Sequence, residues 1–528
     1  LKPGHYHRRR MGADLIRLEI FKHLFASIPE EMGAVLQRAS FSPNIKERRD
    51  FSCALFNAAG EMIAQAAHIP VHLGAMPLSV QNAIHKADFA EGDMLILNDP
   101  YQGGTHLPDL TLIAPIFAGG ELVGFAANRA HHADVGGMAP GSMPIARELI
   151  QEGLIIPAVK LMERGRVQQG IWDLILRNTR SPWERAGDLH AQMAANQRGV
   201  ERFAALIAKY GLAEIEHYSQ ALLAYTERLT RAMLSGIPDG SYAFEDFLDD
   251  DGIDNQPIKI RVAVNIQDDQ ASVDFAGSDP QARGSVNAVY AITLSAVYYV
   301  FRCLVDSEVP NNTGSLRAIR VLAPEGSVVN ARPPAPVAGG NVETSQRIVD
   351  VLLGALAQAM PGRIPAASQG TMNNTLIGGW DPVRRRAFTY YETIGGGMGA
   401  RPTSDGPSAI HSHMTNTLNT PVEAMEYAYP IQVVRYELRS GSGGMGRFRG
   451  GEGLRRDLLL QAEATASLLS DRRRGQPYGL AGGQAGVSGE NLLIRAGREQ
   501  RLPGKGEVEL RAGDILSIRT PGGGGWGS

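Results

Sequence analysis

The strongest constraint on the fold lies between residues 98 and 137, where two β-favouring runs flank Gly119-Gly120. The first run reads LTLIAPIF and the second LVGFAANRA, and paired glycines between such runs predict a tight hairpin turn. With Gly119 and Gly120 as the turn, Ala118 faces Glu121. A regular ladder then sets Asp109 near Ala130 and Pro108 near His131. His106, Asp109 and His131 are thereby expected at one end of the ribbon. Two imidazoles and a carboxylate gathered there suit Zn, Mn or Fe with an open coordination position. His132 points to the opposite face of a regular strand, so it is a ligand only at a bulge. Otherwise it is a candidate acid/base beside the site.

A chain of 528 residues is too long for one ordinary core, and two or three domains are expected. A net charge of -3 gives no reason to expect nucleic acid or an anionic membrane as partner. Cys53 and Cys303 are the only cysteines, which excludes a disulfide framework and fits a reducing, cytoplasmic setting. No apolar run is long enough to span a membrane, and no secretory signal pattern is present.

The periodicities predict an α+β protein of several domains. His5, His7 and Arg8 to Arg10 form a polar lead before Met11, so residues 1–12 are set apart from the fold as an upstream remnant. Residues 13–180 read as a hairpin-rich α+β region holding the candidate metal site. Its first helix is expected over 13 to 40 and to be split at Pro29. Ser181-Pro182 starts a helical hairpin over 181–240. Residues 241–430 read as an α+β region with glycine-rich polar loops, and residues 431–528 as a β-rich C-terminal region.

Other polar clusters are weaker signals. Asp50 stands before an early hairpin and is a candidate further carboxylate for the metal. His68 and His72 lie in AHIPVHLGAM, where Pro70 argues against a helix; they are candidate acid/base residues. Asn373 and Asn374 in PAASQGTMNN, and His411 and His413 in HSHMTNTLNTPVE, sit in small-polar stretches suited to substrate recognition. The bland alternatives are tight turns and loop histidines bonded to backbone. GGGMG lacks the strand-turn-helix frame of a nucleotide site, and neither G-x-x-x-x-G-K-[ST] nor G-x-S-x-G occurs. No residues are therefore assigned to an organic cofactor.

Together NIKERRDFSCALF, AHIPVHLGAM, NDPYQGGTHLPD, HHADVGG, EGLIIPAVKL, PAASQGTMNN, GGGMGA with HSHMTNTLNTPVE, and PGGGGWG resemble the landmarks of the hydantoinase B/oxoprolinase family, in order and over nearly the whole chain. That family is similar to the C-terminal half of eukaryotic-type 5-oxoprolinase and, more distantly, to a subunit of acetone carboxylase. The resemblance implies a metal-dependent cyclic-amide hydrolase subunit in a hetero-oligomer. A hydantoinase A-like partner would use ATP and Mg to phosphorylate the lactam. It also implies that His106, Asp109 and His131 are metal ligands, that Asp50 is a further carboxylate, and that His68, His72 and His132 line the same region. A ketone carboxylase subunit and a non-catalytic scaffold for the ATP-binding subunit are the competing readings.

Overall fold

A computed structural model describes residues 14–66, 68–306 and 308–528; the polar lead expected over 1–12 lies outside the described residues. Helix α1 (Leu15–Ala39) starts at Asp14, whose carboxylate accepts the Ile16 N–H. Leu18, Phe21, Phe25, Ile28, Met32 and Leu36 form its buried face. Pro29 does not split it, contrary to the sequence expectation. The apolar stripe continues on both sides of the proline, and its burial outweighs one missing N–H.

The remaining helices are α2 (Pro43–Lys46), α3 (Ala75–Ile84), α4 (Gln169–Arg177), α5 (Pro182–Tyr210), α6 (Leu212–Leu234), α7 (Tyr290–Leu304), α8 (Ser345–Ala359) and α9 (Val422–Ala428). None among the described residues is long and apolar enough to cross a membrane. The N-terminal strands are β1 (Phe51–Asn57), β2 (Met62–Gln65), β3 (Met94–Leu97), β4 (Asp109–Ala118), β5 (Glu121–His131), β6 (Val159–Glu163) and β7 (Arg166–Val167). They form one sheet in the order β2-β1-β5-β4-β3-β6-β7. Helix α5 packs on β4 and β5 and against α1.

The predicted hairpin is present, with its register moved by one residue. Ala118 faces Glu121 and Phe117 faces Leu122, but Ile116 faces Gly124. Val123 is thus an extra residue in β5, a bulge that slides the rest of the ladder. Asp109 therefore pairs with His131 rather than with Ala130.

A second sheet holds β8 (Gly240–Leu248), β9 (Ile258–Gln267), β10 (Gln270–Asp274) and β11 (Ile319–Leu322), with α8 packed on β8 and β9 and α7 on α8. The C-terminal strands are β12 (Asn374–Asp381), β13 (Arg386–Glu392), β14 (Ile431–Arg439), β15 (Gly453–Leu460), β16 (Ala464–Leu469), β17 (Glu490–Arg495), β18 (Arg498–Leu502), β19 (Lys505–Leu510) and β20 (Ile515–Arg519). They make two sheets, β13-β12-β16-β19 and β14-β15-β20-β17-β18. Buried Arg347 of α8 joins the second sheet to these strands, 3.1 Å from Asp246 of β8 and 3.1 Å from Asp471, which follows β16. The mixed helices and strands in several sheets are the α+β fold the sequence predicts.

Helix α8 is entered through a π-helical turn, Gly340–Thr344, pinned by bonds from the Gly339 and Gly340 N–H groups to the Ser285 carbonyl. A Cβ at Gly340 would collide with the carbonyl oxygen of Asn287, a backbone atom that cannot swing away. Gly340→Ala should therefore destabilise the fold by at least about 2 kcal/mol in denaturant unfolding. Gly170→Ala, where an added Cβ meets nothing, should stay within about 0.5 kcal/mol of the parent. Equal stability of the two variants would contradict this packing.

Candidate metal centre

Asp109 opens β4 and His131 closes β5, so the shifted ladder sets them opposite one another. Asp109 is 1% exposed, and an isolated carboxylate so deeply buried would not stay charged. Its surroundings supply the compensation. His131 Nδ1 lies 3.4 Å from Oδ1, while His106 Nε2 and His72 Nε2 lie 3.3 and 3.4 Å from Oδ2. The Thr105 hydroxyl donates to Oδ2 as well. Burial pushes the Asp109 carboxyl up, but the neighbouring His106, His72 and His131 outweigh it and hold it well below its ordinary range. Burial pushes the His131 imidazole down despite the neighbouring Asp109.

These separations identify what the cluster suits. N–H···O hydrogen bonds run at about 2.7–3.2 Å. Ligands about 2.1 Å from a tetrahedral cation lie about 3.4 Å apart. Nitrogens of His106 and His131 and an oxygen of Asp109 all fall within 4.8 Å of one another. His106 Nδ1 and His131 Nε2 have no partner among the described residues. The donor set, two imidazoles and one carboxylate, fits a divalent metal ion.

The other sequence candidates divide by position. His72 is on a short 3-10 turn, Pro70–His72, in keeping with the bar that Pro70 sets against an α-helix. Its Nδ1 is 2.9 Å from the Ser52 hydroxyl, which orients the ring towards Asp109. Asp50 lies one layer out: its carbonyl accepts the His131 N–H, and its carboxylate is 3.6 Å from Arg48. His68 accepts the Cys53 N–H and packs on Phe51. It lines a cavity of about 430 Å³ with Gly33, Arg49, Phe51 and Asn416. His132 turns away to α5, where Nε2 is 2.9 Å from Gln192 Oε1. The Gln192 amide nitrogen already donates to Leu110 and Asn128, so His132 must be the donor. That bond ties β5 to α5.

Asn373 donates to Gln369 and to the Ile394 carbonyl and accepts from Arg473, so its side chain is spent within the protein. Asn374 donates to Glu343 and Leu469 and accepts from Tyr391. His411 lies near Arg48, and burial with that charge pushes its imidazole down to about 4. His413 faces the Tyr299 hydroxyl and lines a separate cavity of about 360 Å³.

Two further residues of the centre come from distant sequence. Tyr391 stacks on His131, centroids 4.5 Å apart, with Arg48 over its ring. Asn341, in the π turn, sets its amide nitrogen 3.1 Å from His106 Nε2. The Gly-Gly-Asn before a helix is the only local signal for it, and Tyr391 precedes GGGMG with no spacing that points to the centre.

The sequence model of hydantoinase B/oxoprolinase matches residues 14–528. The chain belongs to that family. An uncharacterised protein of Methanocaldococcus jannaschii is 44% identical over 98% of this chain and 91% of its own length. 5-Oxoprolinase 1 of Arabidopsis thaliana is 42% identical over 98% of the chain, which spans only 42% of that longer protein. A Pseudomonas protein named as one of the subunits of a putative D-/L-hydantoinase is 32% identical, over 98% of this chain and 90% of its own. Among solved structures, the ATP-dependent caprolactamase of Pseudomonas jessenii superposes with a TM-score of 0.91 at 29% identity, covering 98% of this chain and 92% of that one. Acetone carboxylase shares the fold, with a TM-score of 0.91 at 18% identity over 97% of this chain and 76% of its own.

His413 gives a pH test of these surroundings. Burial pushes its imidazole down to about 4, against about 6.5 in an unfolded chain. The unfolded state therefore binds the proton first as pH falls, and stability is lost between about 6.5 and 4. His413 has a left-handed backbone, φ 58°, which asparagine tolerates. His413→Asn should reduce the slope of unfolding free energy in that window by up to ~1.4 kcal/mol per pH unit. An unchanged slope would contradict a neutral, buried imidazole.

Proposed function

We propose that this chain is the metal-dependent subunit of an ATP-dependent cyclic-amide hydrolase of the hydantoinase/5-oxoprolinase type. A hydantoinase A-like partner would bind ATP with Mg and phosphorylate the lactam oxygen. The carrying observation is the buried Asp109 with His72, His106 and His131 at 3.3 to 3.4 Å. Family membership supports hydrolysis of a cyclic amide, and the Pseudomonas relative, named as one component of a hydantoinase, supports a partner.

An unactivated lactam is a poor electrophile, and phosphorylating its oxygen makes the ring carbon attackable. His106, Asp109 and His131 would hold a divalent cation, Zn, Mn or Fe, which supplies Lewis acidity and lowers the pKa of water. His72, oriented by Ser52, would accept the proton of the attacking water at Nε2 and return it to the ring nitrogen as the C–N bond breaks. The acyl phosphate that remains would be opened by a second water, releasing phosphate and the ring-opened acid, an amino acid from a lactam and an N-carbamoyl amino acid from a hydantoin.

The purified chain with its ATP-binding partner should open 5-oxoproline, a hydantoin or caprolactam in an ATP-dependent assay. His106→Ala should lose about 10³-fold or more of that turnover, with the complex intact by size-exclusion chromatography. Turnover at the parental rate would contradict the reading. So would bicarbonate-dependent consumption of a ketone in place of lactam opening.

A further inference from the structure

The part of the centre that residue type and spacing did not announce is Asn341. It is 5% exposed, its Nδ2 is 3.1 Å from His106 Nε2, and its Oδ1 has no partner among the described residues. A buried amide oxygen without a donor costs about 1–3 kcal/mol. The nitrogen and oxygen of a carboxamide are nearly indistinguishable in shape, so their order follows from bonding. As placed, the Asn341 amino group and the Asp109 carboxylate oxygen, 3.3 Å away, both face His106 Nε2. That nitrogen carries either one proton or one lone pair. A lone pair suits Asn341 and repels the carboxylate; a proton suits the carboxylate and repels the amino group.

Turning the amide removes the clash at His106 Nε2, and the amino group then takes the position where the oxygen had no partner among the described residues. Its oxygen then takes the position 3.1 Å from His106 Nε2. Ligands about 2.1–2.2 Å from one cation and at right angles are roughly 3.0 Å apart. The backbone is built to hold the residue there. Asn341 is in the π turn Gly340–Thr344, and such turns occur frequently at functional sites. Gly339 and Gly340 N–H groups bond to the Ser285 carbonyl at 2.7 and 3.2 Å, and Thr344 donates to the Val286 carbonyl. Glu343 accepts the Met372 N–H and the Asn374 amide at 3.0 and 2.8 Å. Anchors on both sides fix the direction of the Asn341 side chain.

We propose that the Asn341 carboxamide oxygen is a fourth protein ligand of the metal, beside His106, Asp109 and His131. The proposal rests on the metal-centre reading above and deepens it. Two imidazoles, one carboxylate and one neutral carbonyl oxygen fill a four-coordinate site. A position for water then requires a five- or six-coordinate ion, which favours Mn(II) or Fe(II) over a tetrahedral Zn(II).

The test is metal binding by the whole chain, read without turnover. Metal-stripped protein is titrated with Mn(II), free Mn(II) is followed by electron paramagnetic resonance, and the visible spectrum of the Co(II)-loaded form is recorded. Asn341→Ala should weaken Mn(II) binding by about tenfold or more and change the Co(II) spectrum. Asn341→Asp, which keeps an oxygen ligand, should bind within a few-fold of the parent. Thermal unfolding of the metal-free variants checks that each is folded; if the alanine chain is not, Asn341→Leu keeps the branched shape without a ligand atom and gives the same reading. Parental Mn(II) affinity and an unchanged Co(II) spectrum in Asn341→Ala would overturn the assignment and show an amide that only caps the His106 ring. Equal losses in the alanine and aspartate variants would also overturn it. If the parent chain binds no divalent cation, the metal-centre reading itself falls; if it binds one and Asn341→Ala binds it equally, only the Asn341 assignment falls.

Discussion

Asp109 carries a charge where the protein has almost no water, and the arrangement around it follows from that. A bare carboxylate in such a place costs several kcal/mol and would take up a proton instead. His72, His106, His131 and Thr105 all direct polar atoms at it. Three imidazoles around one carboxylate are more donors than a structural ion pair needs. Their spacing also exceeds hydrogen-bond length, and a shared cation would account for both features.

The wall of the centre closes on itself. His131 stacks on Tyr391, whose hydroxyl donates to Asn374; Asn374 donates to Glu343, and Glu343 shares the π turn with Asn341 beside His106. The ring draws on the N-terminal sheet, the turn before α8, and strands β12 and β13. Arg347 fixes α8 to the C-terminal strands through Asp471. Widely separated parts of the chain therefore build one small site, in accord with a family match that runs from residue 14 to residue 528.

Much of this was legible from local pattern. The Gly119-Gly120 turn, the α5 start at Ser181-Pro182 and the alternation in β14 and β15 are short-range signals, and each element forms where its pattern lies. The ladder register was not legible from the turn alone, because counting back from Gly119-Gly120 assumes a regular ladder; Gly124, next to the bulged Val123, was the one local signal that it is not. Nor was the continuity of α1, where the burial of Phe25, Ile28 and Met32 overrides Pro29. Tyr391 and Asn341 reach the centre through tertiary packing, more than 200 residues from His131 and His106. Spacing along the chain carries no trace of such contacts. His132 shows the reverse: two adjacent histidines look equivalent in sequence, while strand alternation sends one to Asp109 and the other to Gln192.

The central claim is that the charge on Asp109 is held in place by a cation. The most direct measurement is elemental analysis of the chain produced in medium containing Mn, Fe and Zn, alongside Asp109→Asn, which keeps the shape and removes the charge. The account predicts one divalent cation per parent chain and almost none in a folded Asp109→Asn. A metal-free parent, or a variant that retains the full complement of metal, would contradict it.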